Sequence, residues 1–238
     1  MDVIDEWLEY HVRRFDVVYV SDNGSWDGTW ERLLSWRPHI MVRQIASQDY
    51  MQSKWVYEMD DALRSFGCTW AVNLDADEFL EGSMRAACAI AEMNGINQIY
   101  PHGTFMRATT GDSADPSVTQ RIVHHDPWSK KYTNDKAIIR TAGLTGVCQG
   151  NHWGYWDHET KSVQIDDLRL YHYEQRSPAQ IVKKYSGAAS PEKIKNMGEG
   201  WVALNKLWRD GGDEALIAYW HEHCIYDRAY LEIGGIHG

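Results

Sequence analysis

Apolar residues recur along this chain in two registers. Between Val3 and Arg13 they fall three and four apart, which puts Ile4, Trp7, Leu8 and His11 on one face of an amphipathic helix. The β-branched and aromatic run from Val17 to Val20 predicts a strand, and a helix follows from about Trp30 to Trp36. Ile40 to Val42 reads as a short strand, and Ser47 to Phe66 carries a helical pattern around Trp55, Tyr57 and Leu63. Trp70 to Leu74 is apolar enough for a strand covered on both faces. Beyond it come a helix over Met84 to Met93, a strand at Asn97 to Pro101, and a strand at Lys136 to Arg140. In Leu168 to Tyr173, period-two alternation sets Leu168, Leu170 and His172 on one side. Helices and strands that alternate in this way predict an α/β fold.

Several stretches break the alternation. His102 to Pro127 is long and polar, a loop of the kind that shapes a binding pocket. The C-terminal part reads as helices over Pro178 to Ser186 and Pro191 to Gly200, then Trp201 to Trp208. A break at Gly211 and Gly212 precedes a last helix that ends near His223.

Chemistry concentrates where two of the predicted strands end. Trp70 to Leu74 runs straight into Asp75, Ala76, Asp77 and Glu78, and such acids are buried only when paired, hydrogen-bonded or metal-bound. In open α/β sheets, ligands collect at the carboxyl ends of strands. Asp75 and Asp77 there, with room for water and phosphate, suit Mg²⁺ or Mn²⁺; the plainer reading is an acidic turn that caps the next helix. Upstream, Asp22-Asn23-Gly24-Ser25-Trp26-Asp27-Gly28-Thr29 is a polar turn after a strand. Asp22 and Asn23 can hydrogen-bond a base or ribose, and the turn amides can face anionic oxygens. Asp27 or Thr29 can equally serve as a helix cap.

The two acidic motifs, in this order, resemble those of family 2-like glycosyltransferases with the A-type, nucleotide-sugar-binding fold. Glu6-Trp7-Leu8-Glu9-Tyr10-His11, Asp75-Ala76-Asp77-Glu78-Phe79-Leu80 and Leu170-Tyr171-His172-Tyr173 with Arg176-Ser177 are similar to the branch that carries the Asp-Ala-Asp-Glu-Phe signature. The resemblance covers roughly residues 2 to 187. It implies a Rossmann-like mixed sheet flanked by helices, as a glycosyltransferase-like catalytic domain over 1–187, with 188–238 as a helical extension packed on it. It also implies a strand ahead of the Glu6-Trp7 helix. These residues do not include one, so the expectation is a shortened form or a sheet edge completed by another segment.

The resemblance further implies transfer of a sugar from a nucleotide-diphosphate donor to a hydroxyl of a saccharide or glycoconjugate, with inversion and with Mn²⁺ or Mg²⁺. Asp22, Asn23, Asp27 and Asp75 would then contact the donor. Lys136 would approach a phosphate, and the planar fork of Arg176 would hold diphosphate oxygens. Asp75 and Asp77 would bind the metal, with His152 or His172 as third ligand. An inverting transfer needs one general base. Asp157 is the first choice because it follows the aromatic segment Trp153 to Trp156, with Asp126, Asp166 and Glu174 as alternatives.

Composition changes this picture little. With 238 residues the chain can form one substantial core. Its formal charge of -10 and its lack of a Lys/Arg block argue against nucleic acid and favour a metal for binding a diphosphate. The 4 cysteines lack metal-ligand spacing and read as reduced thiols. Without a signal peptide or long apolar span, the expectation is a cytoplasmic protein that reaches a membrane only through a partner. The 12 Trp and 13 Tyr against 4 Phe suit sugar stacking or interfaces, and ordinary cores too. Two other classes remain: a phosphatase or nucleotidyltransferase built on Asp75 and Asp77, and a noncatalytic carbohydrate-binding or accessory protein of this fold.

Overall fold

A computed structural model describes residues 3–45, 51–107, 119, 124–125, 136–174, 176–186 and 199–223. Helix α1 (Ile4–Val12) buries Ile4, Trp7, Leu8 and His11, the face that the spacing predicts, together with Tyr10. Strand β1 (Tyr19–Asp22) follows, then α2 (Thr29–Ser35), β2 (Met41–Gln44) and α3 (Gln52–Ser65). β1 and β2 pair in parallel, as two strands joined through a helix do.

Next come β3 (Trp70–Val72), β4 (Glu78–Glu81), α4 (Met84–Met93) and β5 (Gln98–Arg107). The acidic run is therefore no simple strand-to-helix cap: Asp75 to Asp77 turn the chain, and Glu78 opens a second strand. β6 (His124–His125) pairs with β5 at Met106 and Arg107. β7 (Ile138–Arg140), β8 (Leu144–Val147), β9 (Gly154–Trp156) and the long β10 (Ser162–His172) complete the strands. The larger sheet runs β3-β7-β5-β10-β4, with antiparallel pairing at β3/β7, β5/β7 and β10/β4. β8 and β9 form a separate antiparallel hairpin.

Both faces of the larger sheet carry a core. Leu80, Ile99, Ile138, Leu168 and Leu170 pack with Ala87 and Ala91 of α4. Ala71, Ala137 and Ile139 pack with Val56 of α3, Leu144 and Val147. Ile138 and Ile139 thus serve opposite faces, as strand alternation dictates. His11 is buried in the aromatic group around Trp7, Tyr10 and Phe79, and burial lowers its pKa to about 4, so it is neutral.

The described residues from 3 to 104 and from 136 to 172 form one compact unit, and those between 105 and 125 and from 173 to 223 a second. In the second unit, α5 (Pro178–Ser186) buries Ile181 and Tyr185. Helix α6 (Glu199–His223) is interrupted at Gly212, with φ 67 and ψ -162. That is the break expected from the paired glycines, since such a conformation suits a residue without Cβ. Asn205 Nδ2 donates to Tyr185 O at 2.8 Å and ties α6 to α5. Among the described residues no helix is long and apolar enough to cross a membrane.

Gly82 joins β4 to α4 at φ +113, and a Cβ there would fall on the backbone carbonyl of Asp167 and 2.8 Å from Leu168 Cδ2. Gly82→Ala should therefore cost on the order of 2 kcal/mol, from backbone strain and displacement of β10. A urea midpoint unchanged from that of the parent would contradict this.

Candidate functional site

The site is built where β3 ends. Asp75 N–H donates to Glu78 Oε2 at 2.8 Å while Glu78 N–H donates to Asp75 O at 3.0 Å, so the acidic turn closes on itself. Trp7 Nε1 of α1 donates to Glu78 O at 2.9 Å and holds the start of β4 from outside the sheet. The register of β4 with β10 then sets His172 opposite Glu78. That pairing brings His172 Nε2 to 3.5 Å from Asp77 Oδ1, with both side chains largely enclosed.

Lys136, just ahead of β7, is 4 % exposed, and Glu78 is 2 % exposed. Lys136 Nζ donates to Asp75 Oδ2 at 3.0 Å and to Gly150 O at 3.2 Å, and lies 3.4 Å from Glu78 Oε2. Burial by itself would lower the lysine pKa, but Glu78 and Asp75 outweigh it and hold the ammonium charged. Burial and then the charge of Asp75 raise Glu78 to about 8, against the opposing pull of Lys136 and His172. Burial and Asp75 thus favour the protonated form of Glu78, while Lys136 and His172 favour its ionised form.

The turn after β1 is shaped by Asp22, which is buried. Its Oδ2 accepts from Gly24 N–H at 3.1 Å, Ser25 N–H at 3.1 Å and Gln44 Nε2 at 3.2 Å. The carboxylate is engaged in holding its own turn, and its neighbour Asn23 borders open space. Asp27 Oδ1 accepts from Thr29 N–H at 3.2 Å and Thr29 Oγ at 2.6 Å, an Asx-type turn that leads into α2, whose N-cap is Gly28. One cavity of about 880 Å³ is lined at its polar end by Asn23, Gln52, Asn73, Asp75 and Asn151. Asn151 sits at φ 64, and its Oδ1 is buried without a hydrogen-bond partner among the described residues.

The other candidates are engaged as follows. His152 follows the Gly150-Asn151 turn; its N–H and that of Trp153 donate to Cys148 Sγ at 3.2 and 3.3 Å. Asp157 is exposed and accepts from His158 Nδ1 at 2.8 Å, a hydrogen bond that lowers its pKa and makes it a weaker base. Asp166, also exposed, pairs with His102 at 2.6 Å. In the second unit Arg176 is buried and donates to Tyr173 O at 2.6 Å, and Glu174 faces Lys184 at 3.5 Å. Asp126 lies outside the described residues.

Among the described residues no group of three or more His, Cys, Asp and Glu side chains converges on one point to hold a metal. Asp77 and His172 do offer an oxygen and a nitrogen donor side by side. That pair fits Mg²⁺ or Mn²⁺, which accept one or two protein ligands and complete their shells with water and substrate phosphate.

Sequence reading named Glu78 only as one acid of the turn, without a role in the site, and missed Asp60. Asp60 is 1 % exposed on the inward face of α3 and accepts from Asn73 Nδ2 at 3.3 and 3.1 Å. Burial raises its pKa to about 7, against the opposing effect of that hydrogen bond. The available signal was an acid four residues after Val56 and three before Leu63, within the helix's apolar stripe.

No protein-family model matches the sequence, and no curated protein matches it. Among solved structures, the chain is similar to a crystal structure of residues 1–349 of S. aureus TarS. The TM-score is 0.44 at 14% identity, over 86% of this chain and 67% of that one. It is also similar to S. aureus TarS 1–349 in complex with UDP, with TM-score 0.45 at 13% identity, over 97% of this chain and 90% of that one.

Proposed function

We propose that this chain is a glycosyltransferase that moves a sugar, with inversion and with Mn²⁺ or Mg²⁺, from a nucleotide-diphosphate donor to a hydroxyl of a saccharide or glycoconjugate. The observation that carries this reading is the arrangement at the ends of β1 and β3. Asn23, Asp75 and Asn151 line one cavity, and the enclosed Asp77–His172 pair belongs to the same acidic turn. Catalysis in this reading belongs to residues 1–187, with 188–238 as an extension, in a cytoplasmic protein that meets a membrane only through a partner.

Asn23 and Asn151 supply amide donors and acceptors for a base or ribose. Asp77 and His172 would hold the metal, with Asp75 shared between it and Lys136. A bound divalent ion neutralises charge that develops on the leaving diphosphate. Lys136 holds Asp75 in place and adds a fixed positive charge on the same side. The acceptor hydroxyl loses its proton to a carboxylate, for which Asp157 remains the first candidate. Its lowered pKa requires a closer environment on substrate binding to make it effective.

The test is calorimetric titration with a panel of nucleoside diphosphates, with and without Mn²⁺. One diphosphate should bind in a Mn²⁺-dependent manner, and Asp77→Ala or His172→Ala should weaken that binding at least about tenfold. Absence of binding across the panel, or binding indifferent to Mn²⁺ and to both substitutions, would sink the reading. Donor binding without transfer to any saccharide acceptor would leave the accessory-protein reading, which the exposed and weakly basic Asp157 favours.

A further inference from the structure

The turn between β8 and β9 is tied to three other parts of its unit. Cys148 Sγ accepts from the N–H groups of His152 and Trp153, and Cys148 N–H donates to Trp153 O at 3.0 Å. Gly150 N–H donates to Gln52 Oε1 at the start of α3, and Gly150 O accepts from Lys136 Nζ, both at 3.2 Å. Asn151 N–H donates to Cys148 O at 3.2 Å, and Asn151 O accepts from Ala137 N–H at 3.3 Å. Every backbone polar group of Gly150 and Asn151 therefore has a partner.

The Asn151 side chain differs. The residue is 5 % exposed, and among the described residues its Oδ1 is buried with no hydrogen-bond partner. Other amides at the polar end of the cavity are accounted for: Gln52 accepts from Gly150, Asn73 donates to Asp60, and Asn23 is exposed to water. A buried acceptor without a donor is a standing cost to the fold. Glycine would remove that cost and make the same turn, because Asn151 has φ 64 and follows Gly150 at φ 85. Asparagine tolerates the left-handed region, so the backbone admits it. What the backbone leaves unexplained is the side chain, an unmet acceptor on a residue that lines the cavity of about 880 Å³.

We infer that Asn151 is a specificity-determining residue whose Oδ1 accepts a hydrogen bond from a sugar hydroxyl of the donor, on its ribose or on the transferred sugar. This rests on the reading of the site as one for a nucleotide-diphosphate sugar. The missing partner must donate, which excludes ionised phosphate oxygens, since these only accept. A base N–H also donates, but position argues against it. Gly150 O joins this turn to Lys136, and Lys136 is joined to Asp75, which puts Asn151 on the diphosphate side; Asn23 belongs to the turn after β1. The rings that flank a diphosphate in such a donor are sugars, and their hydroxyls supply the donor that Oδ1 lacks. Because the turn is already fixed, the acceptor is in place before the ligand arrives. A ligand without the hydroxyl leaves that oxygen unpaired in the complex, and this is what makes the contact selective.

The test is calorimetric titration of the parent chain and of Asn151→Gly in the presence of Mn²⁺. The probes are UDP, GDP and ADP, their 2′-deoxy and 3′-deoxy forms, and UDP-glucose, GDP-mannose and ADP-glucose; thermal midpoints are read on both proteins. Asn151→Gly should keep or raise the midpoint, since the turn loses an orphaned acceptor, yet bind its ligand at least about tenfold more weakly. With a ribose hydroxyl as partner, one deoxy form binds the parent about tenfold more weakly than the full diphosphate, and the variant does not tell them apart. With a hydroxyl of the transferred sugar, the nucleotide sugar binds the parent more tightly than its diphosphate, and the variant loses that advantage. Unchanged binding in Asn151→Gly overturns the inference and leaves the donor reading standing. So does a midpoint that falls together with affinity, which marks an asparagine needed for the turn itself. Weaker binding with no dependence on any hydroxyl overturns it in favour of a base contact. A parent that binds none of these probes sinks the donor reading and this inference with it.

Discussion

Lys136→Met should destabilise the protein by about 3 kcal/mol at pH 7. The substitution keeps the buried stem but removes two hydrogen bonds from a charged donor, each worth about 1.5–3 kcal/mol. It leaves Gly150 O without its donor and Asp75 without its countercharge. The pH dependence distinguishes this from simple loss of packing. Burial raises Glu78 to about 8, with Lys136 opposing the rise, so removing Lys136 pushes that pKa higher still. Folding raises this carboxyl's pKa, so its contribution is greatest below the unfolded range and is lost as pH climbs through the folded value. In the parent the loss levels off above about pH 8. In the variant it continues, and the gap should widen by about 1 kcal/mol between pH 7 and pH 9. Lys136→Met/Glu78→Gln should keep the cost at pH 7 and lose the widening. Urea titration followed by tryptophan fluorescence reads both, and a gap constant with pH would contradict the raised pKa of Glu78.

Asp60→Asn should make the protein more stable at alkaline pH. The parent carboxyl, raised by burial to about 7, binds its proton more tightly in the folded chain than in the unfolded one. Its contribution is therefore full at low pH and falls as pH passes from the ordinary carboxylate range up to about 7. An amide of the same shape does not titrate. The stability difference between Asp60→Asn and the parent should shift in favour of the variant by about 2.5 kcal/mol from pH 5 to pH 8. Asn73→Ala, which removes the hydrogen bond that favours the ionised form, should steepen the parent's own loss of stability over the same interval. A difference that stays flat with pH would show that Asp60 ionises normally in the folded state.

How far the site was legible in the sequence differs from residue to residue. The acids at the end of the Trp70 run were identifiable because polar groups cannot follow an apolar strand into a core without a partner. The rivalry of His152 and His172 was not resolvable from their positions alone. Strand register sets His172 against the acidic turn, because β10 runs antiparallel to β4, while His152 follows a turn whose amides donate to Cys148. Asp22 and Asp27 looked like ligand-binding groups, and each proves to be engaged by the backbone beside it. Lys136 was recognised only through a resemblance. Its hydrogen bond to Asp75 joins residues 61 apart in sequence.

The sequence by itself determined the local elements. The helix over Met84 to Met93, the buried face of α1 and the break at Gly212 follow from side-chain periodicity and glycine's backbone freedom, which act between residues a few positions apart. Tertiary structure alone decided which strands meet, hence the antiparallel pairing of β4 with β10, the β8–β9 hairpin, the raised pKa of Glu78 and the cavity that Asn23 and Asp75 line. These rest on pairing and desolvation between distant segments, whose free energies depend on what the folded chain brings alongside each group.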